Sequence, residues 1–113
     1  MFKRSYAKLP AQDVERARAF YRDVLGFEPV SEHNGHMRFE CGGQQFLVFP
    51  SSGKPSGDHD QLGLVVDDVE AAHAELESRG VRFEPEGIKD FGIVKAAWFH
   101  DSEGNLISIN EFN

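Results

Sequence analysis

Cysteine is almost absent: Cys41 is the only one in 113 residues. The chain can therefore form no internal disulfide and no Cys-rich metal cluster. Long apolar runs are missing too, none approaching the roughly 20 residues that cross a bilayer, so no membrane partner is expected. Met1-Phe2-Lys3-Arg4-Ser5-Tyr6 carries charge but no apolar stretch follows it, so no signal peptide is read and a cytoplasmic location is expected. Basic residues are outnumbered, 12 Lys and Arg against 19 Asp and Glu for a net charge of −7, with Lys3-Arg4 the only adjacent basic pair. Neutralising phosphates requires clustered cations, which argues against a nucleic acid partner. Catalytic templates are also lacking. No G-x-S-x-G elbow occurs, Gly42-Gly43 joins two strands rather than cradling a phosphate before a helix, and Cys41 has no placed His and reads as a structural thiol.

What remains is the composition of a globular protein, 40% hydrophobic with ten Phe, of a size for one domain. Its order repeats. Asp13-Val14-Glu15 returns as Asp68-Val69-Glu70, each after a short apolar stretch and each opening a helix-like run that ends near Gly26 or Gly80. Gly42-Gly43-Gln44-Gln45-Phe46-Leu47-Val48-Phe49 resembles Glu103-Gly104-Asn105-Leu106-Ile107-Ser108-Ile109-Asn110. The repeat makes Tyr6 equivalent to Gln61 and Leu47 to Ser108. The reading is one domain over 1–113, with a first module at 1–50, a Gly/Ser/Pro-rich linker at 51–60 and a second module at 61–113.

Each half reads βαβββ. The first has a strand over 5–10 closed by Pro10, a helix capped by Asp13 and stopping at Gly26, and strands over 27–31, 35–41 and 44–49. The second has a strand over 61–66, a helix over 69–79, and strands over 82–84, 94–100 and 106–110. Each helix has one apolar stripe, as in Val69, Ala72 and Leu76, and so covers one face of its sheet. Alternation sends Tyr6, Lys8, Leu47 and Phe49 to the opposite face in the first half, and Gln61, Gly63, Val65, Ser108 and Asn110 there in the second. Trp98 and Phe99 alternate, so one of the two shares that open face, where small, polar and aromatic groups can line a cleft.

The run from Asp13 to Phe27, with Asp13, Phe20-Tyr21 and Leu25-Gly26-Phe27 in place, resembles the opening of the vicinal oxygen chelate superfamily of glyoxalases, extradiol dioxygenases, fosfomycin-resistance and bleomycin-resistance proteins. Leu64 to Ala72 resembles the start of its second module. Phe99-His100-Asp101-Ser102-Glu103-Gly104-Asn105-Leu106-Ile107-Ser108-Ile109 resembles its F-x-D-P-x-G-N-x-I-E-L ending. The resemblance implies an α+β fold in which two βαβββ modules form curved mixed sheets around a central cleft, often within a dimer. It also implies that metal-dependent members hold a divalent ion from the first and last strands of each module, with His, Gln and Glu as ligands.

Carried onto this chain, those four positions are Tyr6, Leu47, Gln61 and Ser108. Leu47 ligates nothing, Ser108 offers a neutral hydroxyl in place of a carboxylate, and a phenol with an ordinary pKa near 10 is an uncommon ligand. Gln61 alone is a credible one. His33 and His36, with Glu32 and Glu40 nearby, and His59 beside the first strand of the second half are other possible donors, each read first as a loop residue. His73 and His100 read as ordinary. The expectation is thus a protein without metal or cofactor and with no assigned catalytic residue. It would bind a small organic ligand, cationic or aromatic, in a homodimer, in the manner of the bleomycin-resistance proteins. Tyr6, Lys8, Leu47, Phe49, Gln61, Trp98, Ser108 and Asn110 are the candidate ligand-binding residues. The alternative is a glyoxalase-like lyase, isomerase or dioxygenase with a displaced metal. A third is a non-catalytic partner module hinged at the linker.

Overall fold

In the computed structural model, which describes residues 1–113, the chain forms two four-stranded mixed sheets, each with one helical segment inserted after its first strand. The first half runs β1 (Ala7–Ala11), α1 (Val14–Ala19), a π-helical turn (Phe20–Val24), β2 (Ser31–His33), β3 (His36–Cys41) and β4 (Gln44–Pro50). The second runs β5 (Asp60–Val65), α2 (Val69–Ser78), β6 (Lys89–Asp90), β7 (Val94–His100) and β8 (Leu106–Phe112). The sheet orders, β1-β4-β3-β2 and β5-β8-β7-β6, are the same, with the first strand parallel to the last in each half. Two βαβββ modules are what the repeat predicts.

Local chemistry sets the helix ends. Asp13 and Asp68 sit in extended backbone and accept from the amides of Arg16 and Ala71, both at 3.0 Å. Each satisfies a donor that the first helical turn leaves free. Gly26 and Gly80 close the two helical runs at φ of +84° and +95°, a conformation that costs a side chain and not a glycine. The first run differs from the expected α-helix in widening after Ala19, where Leu25 donates to the carbonyl of Phe20. Two adjacent aromatics explain the widening. Tyr21 stacks on Phe39 at 5.4 Å within its own sheet, while Phe20 reaches Phe99 of the other sheet at 6.5 Å.

Several strands are displaced from their expected places, the first beginning at Ala7 and running past Pro10 to Ala11, which leaves Tyr6 outside it. Residues 27–29 do not join the sheet, because Phe27 turns inward to meet Phe39 and Phe46 edge-on and Pro29 removes a donor; the Val30 amide donates to the Arg38 carbonyl at 2.8 Å and the strand proper starts at Ser31. Residues 82–84 make a single bridge, Phe83 to Phe99, before Pro85 ends it, and Lys89–Asp90 supplies the fourth strand instead. The last strand runs on to Phe112, where it pairs with Val94.

One apolar core spans both halves. Leu9, Met37, Phe39 and Val48 from the first sheet and Ala97, Phe99, Ile107 and Ile109 from the second belong to one buried cluster. A polar clasp closes it. The turn Asp101–Asn105 of the second half packs on the helix of the first, where the Tyr21 hydroxyl donates to Asp101 at 2.7 Å. The Glu103 carboxylate accepts from the Asp13 amide at 2.9 Å and from the Arg16 guanidinium at 2.7 Å. The Asn105 amide donates to the Pro10 carbonyl at 3.0 Å and to Asp101 at 2.8 Å.

Candidate functional site

With both helices on the core side, the other face of each sheet is left without a helical cover. On the first sheet the strand registers create a transverse row, Lys8, Leu47, Arg38, Ser31. The neighbours Phe46 and Val48 are buried, so Leu47 and Phe49 point to the open side. Lys8 extends over the ring of Phe49, with Nζ 5.1 Å from its centroid, a distance at which an ammonium is attracted to the ring face. Tyr6 precedes β1 and is 54% exposed. Tyr6 and Leu47 line a groove of about 390 Å³ together with Arg4, Ser31, His33, His36, Arg38, Gln45 and Phe46.

On the second sheet the matching row is Gly63, Ser108, Trp98. Trp98 is the member of its pair on the open side, Phe99 being fully buried. The indole N–H donates to Asp60 at 3.3 Å, and Phe91 meets the ring edge-on at 6.2 Å. Ser108 faces the same way but is only 1% exposed, its hydroxyl accepting from the Asn110 amide at 2.9 Å. That pair lies over Gly63, where a Cβ would come within 3.3 Å of the Asn110 nitrogen. Gln61 falls at a slip in register between Asp60 and Leu62, so it is the unpaired residue of a bulge, a feature that re-aims a side chain. Its Oε1 is buried with no hydrogen-bond partner. Trp98 lines a second groove of about 630 Å³, with Asp58, Glu84, Glu86, Lys89 and His100 among its walls.

The eight candidates therefore divide by sheet. Tyr6, Lys8, Leu47 and Phe49 belong to the first face and Gln61, Trp98, Ser108 and Asn110 to the second, and Tyr6 and Trp98 line different grooves. The grooves differ in charge. Arg4 and Arg38 line the first and no carboxylate does, whereas three carboxylates and one lysine line the second. Sequence reasoning passed over Arg4 and Arg38 and left His33 and His36 as loop residues. The usable signal was alternation on β3, where Met37 and Phe39 are buried and so put His36 and Arg38 on the Leu47 side. Arg4 lies outside any strand and had no such signal.

A divalent metal of the kind the resemblance implies does not suit these side chains. The four equivalent positions offer a phenol, an alkyl group, an amide and a buried hydroxyl already engaged by Asn110. Nowhere do three or more His, Cys, Asp or Glu side chains converge in a group that could hold an ion. The Gln61 oxygen is the one orphaned donor atom among the four, and one neutral ligand does not make a site. Glu32 is committed elsewhere, to Arg18 at 2.7 Å, which holds its carboxyl below the usual range. Two further shifts lie in the clasp. Burial pushes Tyr21 well above its ordinary value, reinforced by Asp101. Burial also pulls Glu103 upward, but the Arg16 guanidinium, the Asp13 amide and the Ser102 hydroxyl outweigh it and the net shift is downward.

Residues 3–109 match the profile of the Glyoxalase/Bleomycin resistance protein/Dioxygenase superfamily. Among solved structures, TnmS3, an antibiotic binding protein from Streptomyces sp. CB03234, is 27% identical with a TM-score of 0.79, covering 100% of this chain and 98% of that one. A lactoylglutathione lyase from Agrobacterium tumefaciens is 25% identical with a TM-score of 0.77, over 96% of this chain and 92% of its own. A Bacillus anthracis protein at 20% identity, with a TM-score of 0.83 over 100% of this chain and 97% of that one, shares the fold. No curated protein is close enough in sequence to count as a relative.

Proposed function

Because the chain belongs to the glyoxalase/bleomycin resistance protein/dioxygenase superfamily, whose members include both binders and enzymes, we propose that it is a binder. It sequesters a small organic molecule in a sheet-lined cleft without a metal, as a bleomycin-resistance-like member of the cytoplasm. The observation that carries this reading is the donor set: Tyr6, Leu47, Gln61 and Ser108 supply neither a carboxylate nor an imidazole where metal chemistry needs them. A binder needs only concave walls with apolar surface and a few placed polar groups. Leu47, Phe49 and Trp98 supply the first, Tyr6, Lys8 and Asn110 the second. The antibiotic binding neighbour, alike over its whole length, supports the same reading.

The cleft is completed by a second copy. The domain of residues 1–113 presents its first-module face and its second-module face in separate grooves, one basic and one acidic. A homodimer that sets the Tyr6 face of one copy against the Trp98 face of the other closes both with matched charge. Trp98 beside Asp60 then suits an aromatic or cationic part of the ligand.

Calorimetric titration of chelator-treated protein with Ni²⁺, Zn²⁺, Mn²⁺ and Fe²⁺ tests the reading. No stoichiometric binding in the micromolar range is expected. Tight binding that disappears in Gln61→Ala would overturn it in favour of a lyase, isomerase or dioxygenase. That second reading has two supports, the lactoylglutathione lyase neighbour and the unpartnered Gln61 oxygen.

A further inference from the structure

The chain is strongly acidic, yet its first-sheet groove contains cations only. Of the arginines, Arg16, Arg18, Arg22 and Arg79 are each ion-paired with a carboxylate. Arg4, Arg38 and Arg82 are not, and the first two share one groove. Arg38 uses its Nε to donate to Ser31 at 3.0 Å, which fixes the plane of the guanidinium and leaves both terminal nitrogens without a protein acceptor. Lys8 stands in the same transverse row, one strand beyond Leu47. Glu40, the carboxylate on the same side of β3, lies outside the groove lining and pairs with none of them.

Like charges gathered in a concavity repel one another, and the cost is offset when an anion occupies it. A guanidinium held by its Nε presents parallel N–H bonds that match the two oxygens of a carboxylate. Beneath these groups the floor is apolar at Leu47, with the Tyr6 ring and hydroxyl at one side. The volume of about 390 Å³ falls within the range of small-ligand sites.

We infer that the first-sheet groove is a specificity site for a flat aromatic carboxylate, the acid group taken by Arg38 and Arg4 and the ring laid on Leu47 beside Tyr6. The inference rests on the sequestration reading and adds the charge and shape of one end of the ligand. That end is opposite in sign to the one Trp98 and Asp60 favour. A molecule spanning the closed cleft would then meet a basic wall at one end and an acidic wall at the other.

The test uses the full chain and three probes: 2-naphthoate, its neutral analogue 2-naphthamide, and the cation 2-naphthylmethylammonium, titrated by calorimetry and by amide shift changes. Naphthoate should saturate, displace the Leu47 and Arg38 signals, and bind at least ten-fold more tightly than naphthamide. Arg38→Gln and Arg4→Gln should each remove most of that preference. Both residues are exposed, so the variants should fold, and circular dichroism checks that they do. Lys54→Gln, a charge loss in the 51–59 segment away from the groove, should leave it unchanged. Equal affinity for acid and amide, or a preference that survives Arg38→Gln, overturns the inference. If the ammonium probe alone saturates and moves Trp98, small-molecule binding stands and only the anion site falls. If none of the three saturates, the anion site is overturned, and the metal titration decides separately on the reading beneath it.

Discussion

Replacing Tyr21 with Phe removes one oxygen atom from the junction between the two halves and nothing else. The ring stays, with its stacking on Phe39 and its contacts with Phe20 and Phe46. What goes is the hydroxyl that donates to Asp101 at 2.7 Å in a site where Tyr21 is fully buried. Asp101 accepts from Tyr21, from the Asn105 side chain and from the amides of Glu103 and Asn105. The variant keeps the last three, so the carboxylate is weakened and not stranded. A hydrogen bond to a charged group contributes about 1.5–3 kcal/mol, and the remaining donors place the expected loss near the middle, ~2 kcal/mol. In urea, with a slope of about 1–3 kcal/mol/M, the midpoint should fall by roughly 1 M with the slope unchanged.

The pH dependence supplies an independent check on the same bond. Tyr21 has its pKa raised by burial and by Asp101 above the ordinary 10.0. Its contribution is therefore complete below pH 10 and is lost as pH rises from there through the folded value. The gap between wild type and Tyr21→Phe should be constant near neutrality and close in strong alkali. A loss below about 0.5 kcal/mol, the level of an ordinary surface substitution, would show that the clasp does not depend on this bond.

Two further outcomes follow from the same geometry. Glu103 has its carboxyl held below the usual 4.5 because Arg16, the Asp13 amide and Ser102 outweigh its burial. Its stabilisation is present above pH 4.5 and lost as pH falls through the folded value, so Glu103→Gln should flatten the acid limb of the stability profile in equilibrium unfolding; an unchanged limb refutes the assignment. Gly63→Ala places a methyl 3.3 Å from the Asn110 nitrogen and 3.5 Å from the Ser108 oxygen. It should cost about 1 kcal/mol by disturbing that hydrogen bond and shift the Asn110 side-chain amide resonances; unmoved resonances refute it.

Features that depend on neighbours in the chain were the ones legible in the sequence. Asp13 and Asp68 announce helix starts because a cap acts on the amide three residues later. Phe46 and Val48 against Leu47 and Phe49 reveal the two faces of β4 because alternation is a property of one strand. The π-helical widening was not legible, since it arises when Phe20 and Tyr21 each find an aromatic partner on a different sheet. Arg16 with Glu103 lies 87 positions apart, beyond any local pattern. The bulge at Gln61 escaped for a similar reason: it is defined by the mismatch between β5 and β8 and leaves no mark in β5 alone. Arg4 and Arg38 looked like scattered surface charge until the fold put them on one groove.

The clasp also makes the two halves non-interchangeable. At the position equivalent to Arg16 the second helix carries Ala71, and at the position equivalent to Glu103 the first half carries Gly42. The second helix instead receives Glu111, from its own sheet, at the Val69 amide. A tandem of two first halves would hold the guanidinium without its carboxylate, and a tandem of two second halves the reverse. A circular permutation opened between residues 51 and 59 keeps one of each and so keeps the joint. The repeat supplies two similar parts, and the clasp makes them a matched pair that only the heterotypic combination completes.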